Sequence, residues 1–268
     1  MSCLFRRLMK ATLRLAKSLR PRAKWGFYGY PKCFHRGKQF CIKLSQSSND
    51  KLSWLYKISS GLFPSIYLKT SNYKIAAMKH RNNYRNHHLY VQARLLEAIR
   101  IRGSNNKPIY AYSKFTYDPY ADPLPFYSQA DLCSTIRQPG ELGINGVVIW
   151  GSSSSVASEP KCRSIAKYIG RKLGPFVLQQ TLKQSQCSSN YCSNNGRCVF
   201  SPEPWCLPDE PEKPLLNSTW QQRSELTVER SFENRSLPNC HCEMNFAGER
   251  CDKSFLYELY VFLSNTKK

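Results

Sequence analysis

Acidic side chains are scarce in this chain. Its 268 residues hold 18 Asp or Glu against 40 Lys or Arg, a net charge of +22. No acid occurs before Asp50, and residues 1–186 carry 31 basic groups against 7 acidic ones. A chain so poor in carboxylates attracts polyanions. Nucleic acid, anionic membrane and acidic polysaccharide all meet that description, and charge alone does not choose among them. Long apolar runs are lacking too. No stretch reaches the about 20 residues needed to cross a bilayer, so no membrane span is expected. The opening MSCLFRRLMKATLRLAKSLRP has neither the unbroken apolar core nor the small-residue cleavage site of a secretory signal. Nucleic-acid recognition motifs are missing, which sets nucleic acid aside as a partner. His80, His87 and His88 lie in a polar stretch where the adjacent pair would point different ways on a helix, so no metal site is expected. No cofactor is expected either. Cysteine, by contrast, is abundant: 12 in all, seven of them from Cys187 to Cys251. That clustering points to a disulfide module made in an oxidising compartment. Disulfides imply export while the N-terminus offers no route to it, so the expectation is a chain whose start is missing or whose export is unconventional.

Hydrophobic spacing organises the rest. Leu4, Phe5, Leu8, Met9, Leu13, Ala16 and Leu19 recur at helical spacing, Arg6, Arg7, Lys10, Arg14 and Lys17 fall mostly opposite, and Pro21 ends the helix. Trp25 to Tyr30 reads as a strand stopped by Pro31. Cys33 and Cys41 bracket a short polar loop that a disulfide would close. Leu52 to Leu68 reads as a helix followed by a strand from Phe63. Residues 69–88 read as a basic linker. Val91, Leu95, Leu96 and Ile99 make a helical stripe ending near Gly103, and Ile109 to Phe115 alternates as a strand. Asp131 to Leu142 is the next helix, with Pro139-Gly140 expected to break it early. Val147 to Ile149, bounded by Gly146 and Trp150-Gly151, is apolar throughout, as in a strand buried on both faces. The indole at its end suits either a packed core or the lip of a sugar site. A last helix runs from Arg163 to about Lys183 and is interrupted at Gly174-Pro175. Alternating helices and strands over residues 1–183 imply parallel βαβ units. About four strands make roughly half of the eight that a closed (β/α)8 barrel needs.

Beyond residue 183 the pattern changes. Cys187-x4-Cys192-x5-Cys198 is followed by an insertion over 201–239, rich in Pro, Ser and Glu, and then by Cys240-x-Cys242-x8-Cys251. CSNNGRC and CHCEMNFAGERC resemble an EGF-like module over 184–254. That resemblance implies the pairs Cys187–Cys198, Cys192–Cys240 and Cys242–Cys251. Zinc-ligand spacing fits these cysteines poorly. Cys206 has no evident partner, and Asn217 and Asn234 head glycosylation sequons that matter if the chain is exported. The closing segment 255–268 contains FLYELYVFL, too short to span a bilayer and read as an edge strand or packing segment.

Together LRPRAKWGFYGYPKCF, LSWLYKISSGLFPSIYL, the strand before Asp118, GVVIWGSSSS and the cysteine-rich tail resemble the hyaluronidase family of glycoside hydrolases over nearly the whole chain. The resemblance implies an α/β fold: an incomplete (β/α) TIM-like barrel, its C-terminal half, followed by a small disulfide-rich EGF-like module. It implies hydrolysis of the β-1,4 bond next to N-acetylglucosamine in hyaluronan, with the substrate's own acetamido group as nucleophile. It further implies hyaluronan or a related glycosaminoglycan as partner and a secreted or lysosomal location. Tyr28 and Tyr67 look like the family's cleft tyrosines, with Ser65 beside the second. Trp150 looks like the tryptophan that packs on the acetamido methyl, Asp118 like a substrate-positioning aspartate and Ser152 like a sugar contact. Plainer readings stand beside these: satisfied core tyrosines, an aspartate at a turn before Pro119, a core indole.

One part of the pattern is missing. The family's general acid is the Glu of an Asp-x-Glu pair on a strand that would precede the first helix here, and no such pair occurs among the 18 acids. Asp118 and Asp122 precede prolines, and Asp209 and Glu210 lie in the tail. Tyrosine does not substitute, because an unperturbed phenol titrates near pH ~10. The chain as written is therefore expected to be inactive. The alternative is a non-catalytic polyanion binder or an interaction protein acting through its EGF-like module. Cys162 follows the Trp150 strand, where the family places a cysteine bonded to one near its own N-terminus, and that partner is not in this sequence. Cys3 and Cys133 have no clear family counterpart.

Overall fold

The computed structural model describes residues 3–35, 37–68, 80–104, 106–200 and 237–254. Helix α1 (Cys3–Leu19) is amphipathic, as its spacing demands, but only Met9 and Leu13 are covered. They pack with Leu55 of α3 (Ser53–Ile58), between the indoles of Trp25 and Trp54. Lys17 Nζ donates to the Ile58 carbonyl at 3.0 Å and ties the two helices at their ends. Leu4, Leu8, Leu15 and Leu19 remain exposed.

Four extended segments then lie side by side in chain order, each parallel to its neighbour. Tyr28 of the first bridges Phe63 of the second; Leu62 and Ser65 of the second bridge Ile109 and Tyr112. β1 (Tyr110–Ser113) pairs in parallel with β2 (Gly146–Ile149), Tyr110 opposite Gly146 and Ser113 opposite Ile149. The expected strand over Trp25 to Tyr30 is reduced to that single bridge. Gly29 turns the chain at φ +83° immediately after Tyr28, and Pro31 has no N–H to extend a ladder. β2 is half-buried along its length, not buried on both faces. Among the described residues its one strand neighbour is β1, so its other edge lacks a covering strand.

Helices fill the connections. α2 (Lys43–Asp50) and α3 link the first two segments, and α4 (His80–Arg102) links the second to β1. α4 begins at His80, so the basic linker expected over 69–88 ends earlier than its composition suggests. Tertiary contacts support this polar first half. His87 Nδ1 lies 2.7 Å from Asp131 Oδ1, and His88 Nε2 lies 2.9 Å from the Gln138 amide. Val91, Leu95 and Ala98 of α4 then join Ile66, Ile109 and Leu132 in the main core.

Pro139 does not break its helix. α5 (Gln129–Leu132) passes through a π-helical turn, Cys133–Arg137, into α6 (Gln138–Glu141). In that turn the Gln138 N–H reaches back to the Cys133 carbonyl, one residue further than α-helical bonding. The wider turn shifts the bonding register just where Pro139 supplies no N–H. The same arrangement recurs ahead of Pro175. α7 (Glu159–Tyr168) runs through the π turn Ile169–Leu173, whose cap bond is Gly174 N–H to the Ile169 carbonyl, into α8 (Gly174–Tyr191).

α8 continues past residue 183 and carries Cys187 into the cysteine-rich segment. There β3 (Gly196–Val199) pairs antiparallel with β4 (Asn239–Cys242), and β5 (Phe246–Ala247) with β6 (Lys253–Ser254). Disulfides join Cys33–Cys41, Cys187–Cys198, Cys192–Cys240 and Cys242–Cys251. Cys133 is disulfide-bonded as well, while Cys3 and Cys162 are free and exposed. The Phe200 N–H donates to the Glu141 carbonyl at 2.8 Å and Arg197 Nε to the Gly143 carbonyl at 3.2 Å, which joins this segment to the α6–β2 connection. Cys206, Asn217, Asn234 and the segment 255–268 lie outside the described residues. Among the described residues no helix is long and apolar enough to cross a membrane.

Candidate functional site

Strand alternation builds the floor of the site. Along β1, Ala111 and Ser113 are buried, which turns Tyr110, Tyr112 and the following Lys114 to the opposite face. Tyr28 stands at the end of the first segment with its ring 5.2 Å from Tyr112, edge-on, and 5.9 Å from Tyr67. Tyr67, at the end of the second segment, is 5.7 Å from Trp150, which follows β2. The Trp150 N–H donates to the Ser113 carbonyl at 3.2 Å, so the indole's place is set by the β1–β2 ladder. These separations are those of interacting aromatic pairs. The ends of four parallel segments thus contribute one row of rings.

The row is open. Tyr28 is 50% exposed and Trp150 40%. A satisfied core tyrosine or core indole is the weaker description of side chains so accessible, because apolar ring surface left in water is costly. Tyr28 Oη donates to Ser65 Oγ at 3.1 Å. Arg94 of α4 holds the same residue from behind, donating Nη1 to the Ser65 carbonyl at 2.9 Å. Lys114 Nζ sits 4.9 Å from the Tyr67 ring centre and 5.1 Å from that of Trp150, in cation–π range of both. Burial, and next the neighbouring Tyr28, push the Tyr67 phenol above its ordinary range. It therefore stays neutral and able to donate.

The structure brings Tyr28, Tyr67, Ser65 and Trp150 together. The hydrogen bonds of Asp118 and Ser152 lie within their own turns. Asp118 Oδ1 accepts from the Tyr120 N–H at 2.8 Å, within the loop between the bridged residues Thr116 and Phe126. Ser152 Oγ accepts from the Ser154 N–H at 3.3 Å and caps the short 3-10 turn Ser153–Val156. Both side chains serve their own turns. Among the described residues no carboxylate takes part in a hydrogen bond, ion pair or ring contact with Tyr28, Tyr67 or Trp150. No described group of His, Cys, Asp and Glu is arranged to hold a metal. Sequence reasoning missed Tyr112 and Lys114. The period-two alternation of Tyr110, Tyr112 and Lys114 in IYAYSKF was the available signal.

Flat rings, tyrosine hydroxyls and one cation over the ring faces form a surface suited to a sugar ring that carries or adjoins an anion. The hyaluronidase family model matches residues 4–255. Hyaluronidase-2 of Ovis aries is 31% identical over 277 residues, covering 92% of this chain and 54% of the relative. Hyaluronidase-3 of Homo sapiens is 33% identical over 258 residues, covering 92% and 55%. Among solved structures, bee venom hyaluronidase in complex with a hyaluronic acid tetramer superposes with a TM-score of 0.54 at 32% identity, covering 63% of this chain and 51% of that one. The chain spans about half the length of the curated relatives it matches.

Proposed function

Because the chain belongs to the hyaluronidase family, we propose that its open aromatic row is the sugar-packing wall of a hyaluronan-binding cleft, and that these 268 residues alone do not cleave the polymer. The reading rests on one observation: Tyr28, Tyr67 and Trp150 converge from three separate segments onto one rim, with Lys114 over two of the rings. In this reading the indole and the phenols cover the apolar face of an N-acetylglucosamine unit. Tyr67, a neutral donor, bonds a sugar oxygen, and Lys114 neutralises a uronate carboxylate. The four parallel segments are the C-terminal part of a TIM-like barrel, and the cysteine-rich segment is an EGF-like module. The relative solved with a hyaluronic acid tetramer supports hyaluronan as the ligand.

Absence of turnover follows from the chemistry of the leaving group. Glycoside cleavage needs a proton delivered to the departing oxygen, and a positioned general acid contributes typically ~10²–10⁴-fold. No Asp-x-Glu pair is present in the sequence, and two of the described carboxylates are engaged elsewhere: Asp118 in its loop, Asp131 in the core. The test joins binding to turnover. Isothermal titration of hyaluronan tetrasaccharide into the full chain should give saturable binding that Trp150→Ala weakens about tenfold, as loss of one stacked ring implies. Reducing-end assays on the same samples should stay at background. Robust cleavage overturns the inactivity, and unchanged affinity in Trp150→Ala overturns the sugar wall.

A further inference from the structure

Arg102, the last residue of α4, is only 7% exposed, and its Nε and Nη1 take no hydrogen-bond partner. A guanidinium has five donors and keeps its charge, so burying two of its nitrogens unbonded is costly. The C-terminal end of a helix favours a cation, yet no carbonyl accepts from either nitrogen. Two more basic groups approach from the cysteine-rich segment. Arg197 of β3 lies directly opposite His241 of β4, and residues so paired project from the same face of the ladder. All three stand within electrostatic reach of one another. Burial, and next the Arg197 charge, lower the Arg102 pKa. Burial again leads for His241, followed by the charges of Arg102 and Arg197.

Backbone groups hold the cluster in place without neutralising it. Arg197 Nε donates to the Gly143 carbonyl at 3.2 Å, and its terminal nitrogens have no partner among the described residues. Asn106 Nδ2 donates to the Cys242 carbonyl at 3.1 Å, so the Oδ1 turned to His241 Nε2 is an acceptor. The neutral imidazole therefore carries its proton on Nε2, and Nδ1 takes the next one. Among the described residues no carboxylate forms an ion pair with any of the three. Glu243, whose charge reaches Arg197, is exposed. Arg197 and His241 are half-buried and Asn106 is exposed, so the cluster borders on solvent. Asn106 and Gly143 precede β1 and β2, whereas the aromatic row stands at the far ends of those strands.

We propose that Arg102, Arg197 and His241 form a binding site for a tetrahedral oxyanion, sulfate or phosphate in chemistry, where α4 meets the cysteine-rich segment. Two permanent guanidinium charges match the two negative charges of sulfate or hydrogenphosphate. Guanidinium forks bond such oxygens in pairs, and the orphaned Arg102 nitrogens gain the acceptors they lack. An anion among the three groups also favours protonation of the imidazole, which then becomes a further source of positive charge. The bound group links the end of α4 to β3 and β4. It arrives free or as an ester on a larger molecule, and the chemistry of recognition is the same. The site is separate from the aromatic row and does not depend on how that row is used.

Inorganic sulfate, inorganic phosphate and a 4-sulfated chondroitin disaccharide are titrated into the full chain in chloride buffer at constant ionic strength. Melting temperature and the His241 imidazole resonances are followed together. With chloride alone the His241 pKa is about 4. A saturating oxyanion should raise its proton affinity about tenfold, as a nearby opposite charge does, and should raise Tm saturably. Arg102→Met removes the buried charge and should lose both responses. Free sulfate binding as tightly as the disaccharide assigns the site to an inorganic ion. A disaccharide preference of about tenfold or more, the size of one or two added hydrogen bonds, assigns it to a sulfate ester. The site is wrong if none of the three probes moves the His241 titration, or if Arg102→Met responds as wild type does. Should Arg102→Met fail to fold, the His241 titration in wild type decides by itself.

Discussion

At Gly26 an added Cβ would lie 2.6 Å from the Phe63 ring and 2.7 Å from the Gly61 carbonyl oxygen. One of those neighbours is backbone, so the contact cannot be relieved by a side-chain rotation alone. Gly26→Ala should therefore cost about 1–3 kcal/mol, the usual penalty of overpacking, visible as a lowered Tm. Phe63 stacks on Tyr110 at 6.1 Å and meets Tyr112 edge-on at 6.4 Å, so its displacement should also loosen hyaluronan binding. The motif WGFYGYP reveals a constrained turn but not which atoms crowd it. Phe63 is 37 positions away, and only the parallel bridge between Tyr28 and Phe63 brings it there. Trp150 illustrates the converse. Its place after a Gly-bounded apolar run is readable, whereas its exposure depends on β2 having β1 as its one described neighbour.

Helix α1 separates pattern from packing. Its apolar positions are evident from spacing, but only part of the stripe is used: Leu13 is 3% exposed and Leu8 62%. Leu13→Ala should cost about 2–4 kcal/mol through the cavity it leaves between α1 and α3. Leu8→Ala should fall within about 0.5 kcal/mol of zero. Equal losses in chemical denaturation would show that the α1–α3 contact is not the docking surface. The prolines carry a related lesson. Pro139 and Pro175 read as breaks because an α-helix requires the missing N–H. Each instead follows a π turn, and the chain stays helical through both. Propensity rules describe one bonding register, and the choice of another is made where the helix must stay in contact with its core.

For the whole molecule, charge distribution is the property most directly legible, and its consequence is a salt test. Retention on immobilised hyaluronan should fall steeply as ionic strength rises and the Debye length shrinks to about 10 Å at 0.1 M. Trp150→Ala should lower retention on hyaluronan but not on dextran sulfate. Equal retention of both variants on both resins would leave only Coulomb attraction of the basic segment. A second whole-molecule property involves the junction of α4 with the cysteine-rich segment. His241 Nε2 lies 3.2 Å from Asn106 Oδ1, and burial first, then the charges of Arg102 and Arg197, push this imidazole from 6.5 down to about 4. Between those values the unfolded chain binds a proton that the folded chain refuses. The stability His241 confers is thus complete above about pH 6.5 and lost as pH falls toward 4. His241→Gln, which keeps an amide for Asn106, should melt with a smaller drop in Tm from pH 7 to pH 4.5 than wild type. An identical drop would place the sensitivity elsewhere.

Family membership, the order of helices and extended segments, and the absence of an Asp-x-Glu pair were all determined by the sequence alone. Each depends on residue identity and short-range spacing, which survive without coordinates. Tertiary structure decided that Lys114 lies over the rings of Tyr67 and Trp150, that Asp118 and Ser152 serve their own turns, and that Asp131 meets His87. Those outcomes join residues tens of positions apart, and parallel pairing together with core packing, which local spacing does not encode, sets which of them meet.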